Sequence, residues 1–181
     1  MRVGLTARHA ALTIALAAAA TIGGALVFEH VWGYQPCKLC LIQRNPYYIA
    51  IPLALVAALM PARWTRAALW LLALVFVVSA GLGAYHSGVE WGFWPGPSDC
   101  GGGTAANAGN VGDFLNQLQT TRVVSCTEAA WRFLGLSLAG WNVLISLDLA
   151  LFAVWAARRS AGDRAAALAP KATYGSSSLS Q

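Results

Sequence analysis

At 181 residues the chain is the size of one domain, but 57% hydrophobic residues, 10% charged residues and a mean hydropathy of +0.56 set it apart from soluble proteins. The composition identifies a membrane protein. A formal net charge of +5 would suit nucleic acid, yet the basic residues form no patch interleaved with aromatics and sit at the ends of apolar runs, which excludes that class.

Ala10 to Phe28 carries no charge, and a helix of that length matches a hydrocarbon core of ~30 Å, so it is the first predicted span. Met1 to His9, with Arg2 and Arg8, has the charge of a signal-peptide n-region, and Ala17-Ala18-Ala19 offers an A-x-A site. The apolar run exceeds the ~7–15 residues of an h-region, so the segment is expected to be retained. Glu29 to Cys40 is a short loop, followed by a second span from Leu41 to Met60 that carries Arg44, Pro46 and Pro52. An arginine in a span is costly unless it is paired or snorkels to the interface, which makes Arg44 a candidate functional residue. Pro52 removes a backbone hydrogen bond and is expected to kink its helix.

A short turn at 61–66 with Arg63 and Arg66 leads to the third span, Ala67 to Tyr85. His86 to Arg132 is the one long polar region, rich in glycine and proline. Within it Trp91, Phe93 and Trp94 form an interfacial aromatic anchor before Pro95-Gly96-Pro97, and Asp113 caps a short helix with Phe114, Leu115 and Leu118 on one face. The fourth span runs from about Phe133 to Ala157 and holds Asp148, read as a packing or hydrogen-bonding carboxylate. The fold class is therefore all-α, a four-transmembrane-helix bundle with a short first and a long second outer loop. Residues 1–160 form the membrane domain; 161–181 form a tail expected to be disordered from Ala172 onward.

Lys and Arg number eight in the two tails and the 61–66 turn, against four (Lys38, Arg44, Arg122, Arg132) near the other side. The positive-inside rule then puts both termini in the cytoplasm and all four cysteines, Cys37, Cys40, Cys100 and Cys126, on the outer side.

Cys37 and Cys40 form a C-x-x-C pair after Pro36, a residue favoured in the first turn of a helix. A helix from there places Cys40 and Arg44 at i and i+4 on one face. Helix N-terminus and guanidinium both stabilise a thiolate, so Cys40 is the expected low-pKa sulfur. Spacing alone also fits a structural disulfide or half of a zinc site. In an oxidising compartment, four outer cysteines read as two disulfides, Cys37 with Cys40 and Cys100 with Cys126. One pair beside an arginine and one on a long loop form a relay between a soluble thiol protein and a lipid-soluble electron acceptor. Other classes make different predictions: a haem carrier would use His30 and His86, a zinc protein the four thiolates, and a scaffold two inert disulfides.

On the four-span layout, the Cys37-Lys38-Leu39-Cys40 motif followed by Arg44, and the two-cysteine second loop, the chain resembles the bacterial disulfide bond formation protein B (DsbB) family over about residues 10–157. The resemblance implies an inner-membrane thiol:quinone oxidoreductase. It implies that Cys100 meets a reduced thioredoxin-fold, DsbA-like oxidase of the periplasm, opening the bond to Cys126. Electrons then pass to Cys37 and Cys40, and Cys40 faces ubiquinone or menaquinone from the membrane pool. It further implies that Arg44 polarises a quinone carbonyl. His86, at the outer end of span three, is a candidate for quinone binding or proton movement, with Glu29 and His30 behind it. No metal is expected. The glycine-rich run after Cys100 and the Ser-rich tail depart from the family pattern.

Overall fold

The computed structural model describes residues 2–97 and 125–168, with side chains described within 7–97 and 125–160. Cys100 and the short helix expected after Asp113 lie outside the described residues. The elements are α1 (Arg2–His30), α2 (Lys38–Leu59), α3 (Ala62–Glu90), β1 (Arg132–Phe133), β2 (Leu136–Ser137) and α4 (Leu138–Leu168). Each of the four helices is long and apolar enough to cross a membrane. Together they form the four-helix membrane bundle that the hydropathy pattern predicts.

Sequence neighbours pack side by side, α3 and α4 most extensively, and α4 closes back onto α1. The interior explains how they approach. Alanines dominate it: Ala11, Ala18, Ala50, Ala54, Ala57, Ala153 and Ala157 are fully buried beside Ile14, Leu69, Leu72 and Phe76. Lipid is as apolar as a leucine side chain, so burying large apolar groups gives little drive for association; small residues let backbones come close and gain dispersion contacts instead. The large side chains Leu16, Leu59, Leu74 and Leu151 accordingly point outward. At Gly83 of α3 a Cβ would lie 2.9 Å from Val143 Cγ2 and 3.1 Å from the Ala139 carbonyl of α4, so only hydrogen fits.

Thr65 fastens the α2–α3 turn. Its fully buried hydroxyl donates to the carbonyls of Ala57 (2.9 Å) and Met60 (3.1 Å). α2 continues through both Pro46 and Pro52.

The fourth helix begins at Leu138 rather than near Phe133. Arg132–Ser137 instead make an antiparallel hairpin, Arg132 opposite Ser137 and Phe133 opposite Leu136. Its two-residue turn has positive φ at Leu134 (52°) and Gly135 (82°), the conformation that matches strand twist. Trp131 stacks on Phe133 at 5.6 Å, and the Trp141 indole N–H donates to the Phe133 carbonyl at 3.1 Å. At the end of α3 the aromatic segment folds back, with Trp94 stacked on Tyr85 and its indole N–H donating to the Tyr85 carbonyl at 2.9 Å.

Asp148 has a different setting from the one its sequence position suggests. It is exposed near the middle of the membrane-spanning part of α4, Leu138–Ser160, and among the described residues no hydrogen bond or ion pair engages it. The lipid-facing side of the helix, not the packed interior, receives this carboxylate.

Candidate redox site

The alternation of helix direction brings the C-terminal ends of α1 and α3 and the N-terminal ends of α2 and α4 together at one end of the bundle. Cys37 stands there as the N-cap of α2, in extended backbone geometry, and its sulfur accepts the Cys40 backbone N–H at 3.3 Å. Helix N-termini leave N–H groups without partners, and the sulfur satisfies one of them. The helix starts at Lys38, just past the proline, so Cys37 lies at the cap and Cys40 within the first turn.

Cys37 and Cys40 are free thiols whose sulfurs lie 3.0 Å apart and share a hydrogen bond. The hydrogen bond with Cys40 is the main reason that the Cys37 thiol falls from 9.0 to about 4; His86 and the Cys40 N–H lower it further, against burial, which raises it. Helix position and Arg44 point to Cys40 as the low-pKa sulfur. The capping geometry gives that property to Cys37 instead, because its sulfur receives the N–H and faces the imidazole.

His86 is 2% exposed and reaches Cys37 from α3, with Nε2 3.6 Å from the sulfur. Its other nitrogen, Nδ1, accepts from the Gln43 side-chain amide, so the ring proton is held on Nε2, towards Cys37. Gln43 is oriented in turn by Asn142, whose Nδ2 donates to Gln43 Oε1 at 2.7 Å; Tyr47 donates to Asn142 Oδ1 at 2.6 Å. Ser146 and Ser79 extend this chain into the bundle at 2.9 Å per step from Tyr47. Glu90, one turn beyond His86, places Oε1 3.8 Å from Nε2, while its buried Oε2 has no partner among the described residues.

Cys126 closes the cluster. It is disulfide-bonded and 1% exposed, and its sulfur, that of Cys37 and a ring nitrogen of His86 all lie within 4.8 Å of one another. A free thiol thus sits beside an oxidised sulfur, the arrangement that thiol–disulfide exchange needs. With Cys126 bonded to sulfur, only Cys37 and His86 of the three carry a free ligand atom.

Beside the dithiol, between α1, α2 and α4, is a cavity of about 320 Å³. Its wall is mainly apolar, from Ile22, Ala25, Phe28, Trp141 and Ile145, with Cys40, Gln43, Arg44 and Asn142 as polar points. Arg44 is therefore on the same face as Cys40, as their spacing requires. It is paired: Nη1 donates to Glu29 Oε2 at 2.6 Å, with side-chain exposures of 12% and 25%. His86 is not on the cavity wall; it faces Cys37 from the other side.

Gln43, Tyr47, Asn142 and Glu90 are site residues that sequence reasoning does not single out. The signal they offer is polar side chains at i, i+4 in apolar spans: Asn142 with Ser146, and His86 with Glu90. His30 turns back to the Leu26 carbonyl at 3.1 Å.

The fold and this site define a multi-pass membrane protein carrying a dithiol, a neighbouring disulfide and an apolar cavity, the class of membrane dithiol oxidoreductases. Residues 7–156 match the family described as Disulfide bond formation protein DsbB, and the chain belongs to that family. It is 28% identical to Disulfide bond formation protein B of Polaromonas sp. (strain JS666), across 87% of this chain and 94% of that one. It is 32% identical to the protein of that name from Marinobacter nauticus, across 81% of this chain and 90% of the relative. With the one from Xanthomonas campestris pv. campestris (strain 8004) it shares 31% identity, across 82% and 89%. No solved structure matches the chain.

Proposed function

We propose that the protein re-oxidises a periplasmic DsbA-like dithiol oxidase and passes the two electrons to a membrane quinone, as an inner-membrane enzyme with both termini in the cytoplasm. The observation that carries this reading is the placement of Cys40: its sulfur is 3.0 Å from Cys37 on one side and borders the 320 Å³ apolar cavity on the other. That cavity fits a quinone ring. It offers apolar walls, a thiol for electron transfer, and the Arg44 guanidinium for the negative charge developing on a carbonyl oxygen. When bound, the quinone supplies the acceptor for two electrons and two protons.

The chain's own residues account for the rest. A partner thiolate attacks Cys100, forming a mixed disulfide and releasing Cys126 as thiolate; the partner's second thiol then leaves as part of its own disulfide, with Cys100 reduced. Cys126 attacks Cys37 of an oxidised Cys37–Cys40 pair, so that Cys40 departs as thiolate. Cys100 then attacks Cys126, which restores the loop disulfide and frees Cys37. The product has Cys37 and Cys40 free and Cys126 bonded to Cys100. The Nε2 proton of His86 stabilises Cys37 as a leaving thiolate, and the buried Glu90 beside it accepts a proton as the Cys40 thiol gives up its own. Proton movement, rather than quinone contact, is the role that His86's position favours. Re-forming the Cys37–Cys40 bond releases two electrons on the cavity side.

Membranes containing the protein, supplied with reduced DsbA-like protein and ubiquinone or menaquinone, test this directly. Wild type is expected to reduce quinone, Cys40→Ser to be inactive, and Arg44→Ala to need a much higher quinone concentration. Equal inactivity of wild type and Cys40→Ser with every quinone and donor would sink the oxidase.

A further inference from the structure

We propose a second binding site, at the end of the bundle opposite the cysteines, for a phosphate-bearing anionic ligand, whose source is either the headgroup of an anionic phospholipid or free phosphate. A pocket of about 290 Å³ opens there between the start of α3 and α4, lined by Arg63, Arg66 and Trp70 of α3 and by Arg158 of α4. Three arginines from two helices thus line one small volume. Among the described residues no carboxylate pairs with any of them. Like charges held together without counterions repel, and an arrangement of this kind is stabilised when an anion sits between them.

The backbone adds to this charge. α3 has no acidic residue in its first turn, and its N-cap, Pro61, makes no side-chain hydrogen bond to the free N–H groups. The positive end of the helix dipole therefore adds to the arginines, where most helices place an Asp, Glu or capping oxygen. Guanidinium groups bind phosphate oxygens through paired N–H donors, which fits Arg better than a diffuse positive charge.

The surroundings accommodate a lipid. Trp70, Leu71 and Leu74 are exposed on the α3 surface running from the pocket along the span, a path for acyl chains below a headgroup. Arg63 lies over the Trp64 ring at 5.7 Å and Arg159 over Trp155 at 5.1 Å, so aromatic rings brace the basic groups at this level. Basic pockets between membrane helices recognise headgroups by this chemistry.

The test uses the full chain purified in neutral detergent and depleted of lipid. Native mass spectrometry and thermal unfolding are measured with phosphatidylglycerol, with phosphatidylcholine and with inorganic phosphate. The comparison is wild type, the Arg63→Gln/Arg66→Gln/Arg158→Gln triple variant and the matching triple Lys variant. Phosphatidylglycerol is expected to be retained and to raise the unfolding temperature of wild type. Retention should fall by about tenfold or more in the Gln variant and partly recover in the Lys variant. Stabilisation of wild type by inorganic phosphate to the same degree would identify the free ion as the ligand of the same arginines. Equal retention of phosphatidylcholine and phosphatidylglycerol by wild type, or equal retention of phosphatidylglycerol by wild type and a folded Gln variant, overturns the site. Helicity measured by circular dichroism establishes that the variants are folded.

Discussion

Arg44 and Glu29 hold each other across α1 and α2, Nη1 to Oε2 at 2.6 Å, at the edge of the cavity that Cys40 borders. An ion pair this sheltered costs desolvation on both sides, so its members depend on one another more than either contributes alone. The pair also fixes where the guanidinium points, since a charge on a flexible stem is otherwise free to turn outward.

Removing one partner leaves the other sheltered and unpaired. Glu29→Ala and Arg44→Ala are each expected to destabilise the protein, and the double variant to lose less than their sum, with a coupling of about 1–3 kcal/mol. Chemical unfolding of the four proteins in one detergent gives the cycle. Strict additivity would mean that the pair contributes nothing.

Cys37 should titrate as an acid far stronger than an ordinary thiol. In the reduced protein with Cys100 and Cys126 replaced by serine, the ultraviolet absorbance of thiolate is expected to appear with a midpoint near pH 4 rather than 9. Because the folded-state value is depressed, the thiolate's stabilisation is full above the unfolded value of 9.0, shrinks as pH falls, and is gone below about 4. His86→Ala should move the midpoint upward. A midpoint that stays near that of a free thiol would remove the basis for Cys37 as leaving group.

Asp148 is exposed near the centre of the membrane-spanning part of α4, where a carboxylate facing lipid is unfavourable by about 2.5–3.5 kcal/mol. Asp148→Leu is therefore expected to stabilise the protein in bilayers by about 2 kcal/mol or more. Unfolding measured in lipid vesicles checks it. A loss of stability would mean that the carboxylate has a partner in the membrane.

Two glycines should respond oppositely to the same change. Gly83→Ala drives a methyl group to 2.9 Å from Val143 and is expected to destabilise by about 1–3 kcal/mol. Gly23 has nothing within 4 Å of the position a methyl group would take, so Gly23→Ala should be neutral or stabilising by up to about 1 kcal/mol. Similar losses at both positions would argue against close α3–α4 packing as the cause.

The amino-acid sequence by itself determined the number of spans, the gathering of Cys37, Cys40 and Cys126 at one end, and the shared face of Cys40 and Arg44. These are local properties: runs of apolar residues long enough for a bilayer, and helical spacing within one element. Only the tertiary structure decided that Arg44 answers Glu29, that His86 serves Cys37 instead of the cavity, and that Gln43 meets Asn142 across 99 positions. Those outcomes depend on how each helix is rotated about its axis, and in a membrane that rotation leaves little trace in sequence, because the lipid-facing side is as apolar as the packed side. Asp148 is the clearest case: its place in a span was legible, but the face it occupies was set by where alanines and Gly83 let α3 and α4 come together. The same holds for the thiolate. The helix begins at Lys38, two residues after Pro36, which makes Cys37 the cap and gives it the backbone N–H.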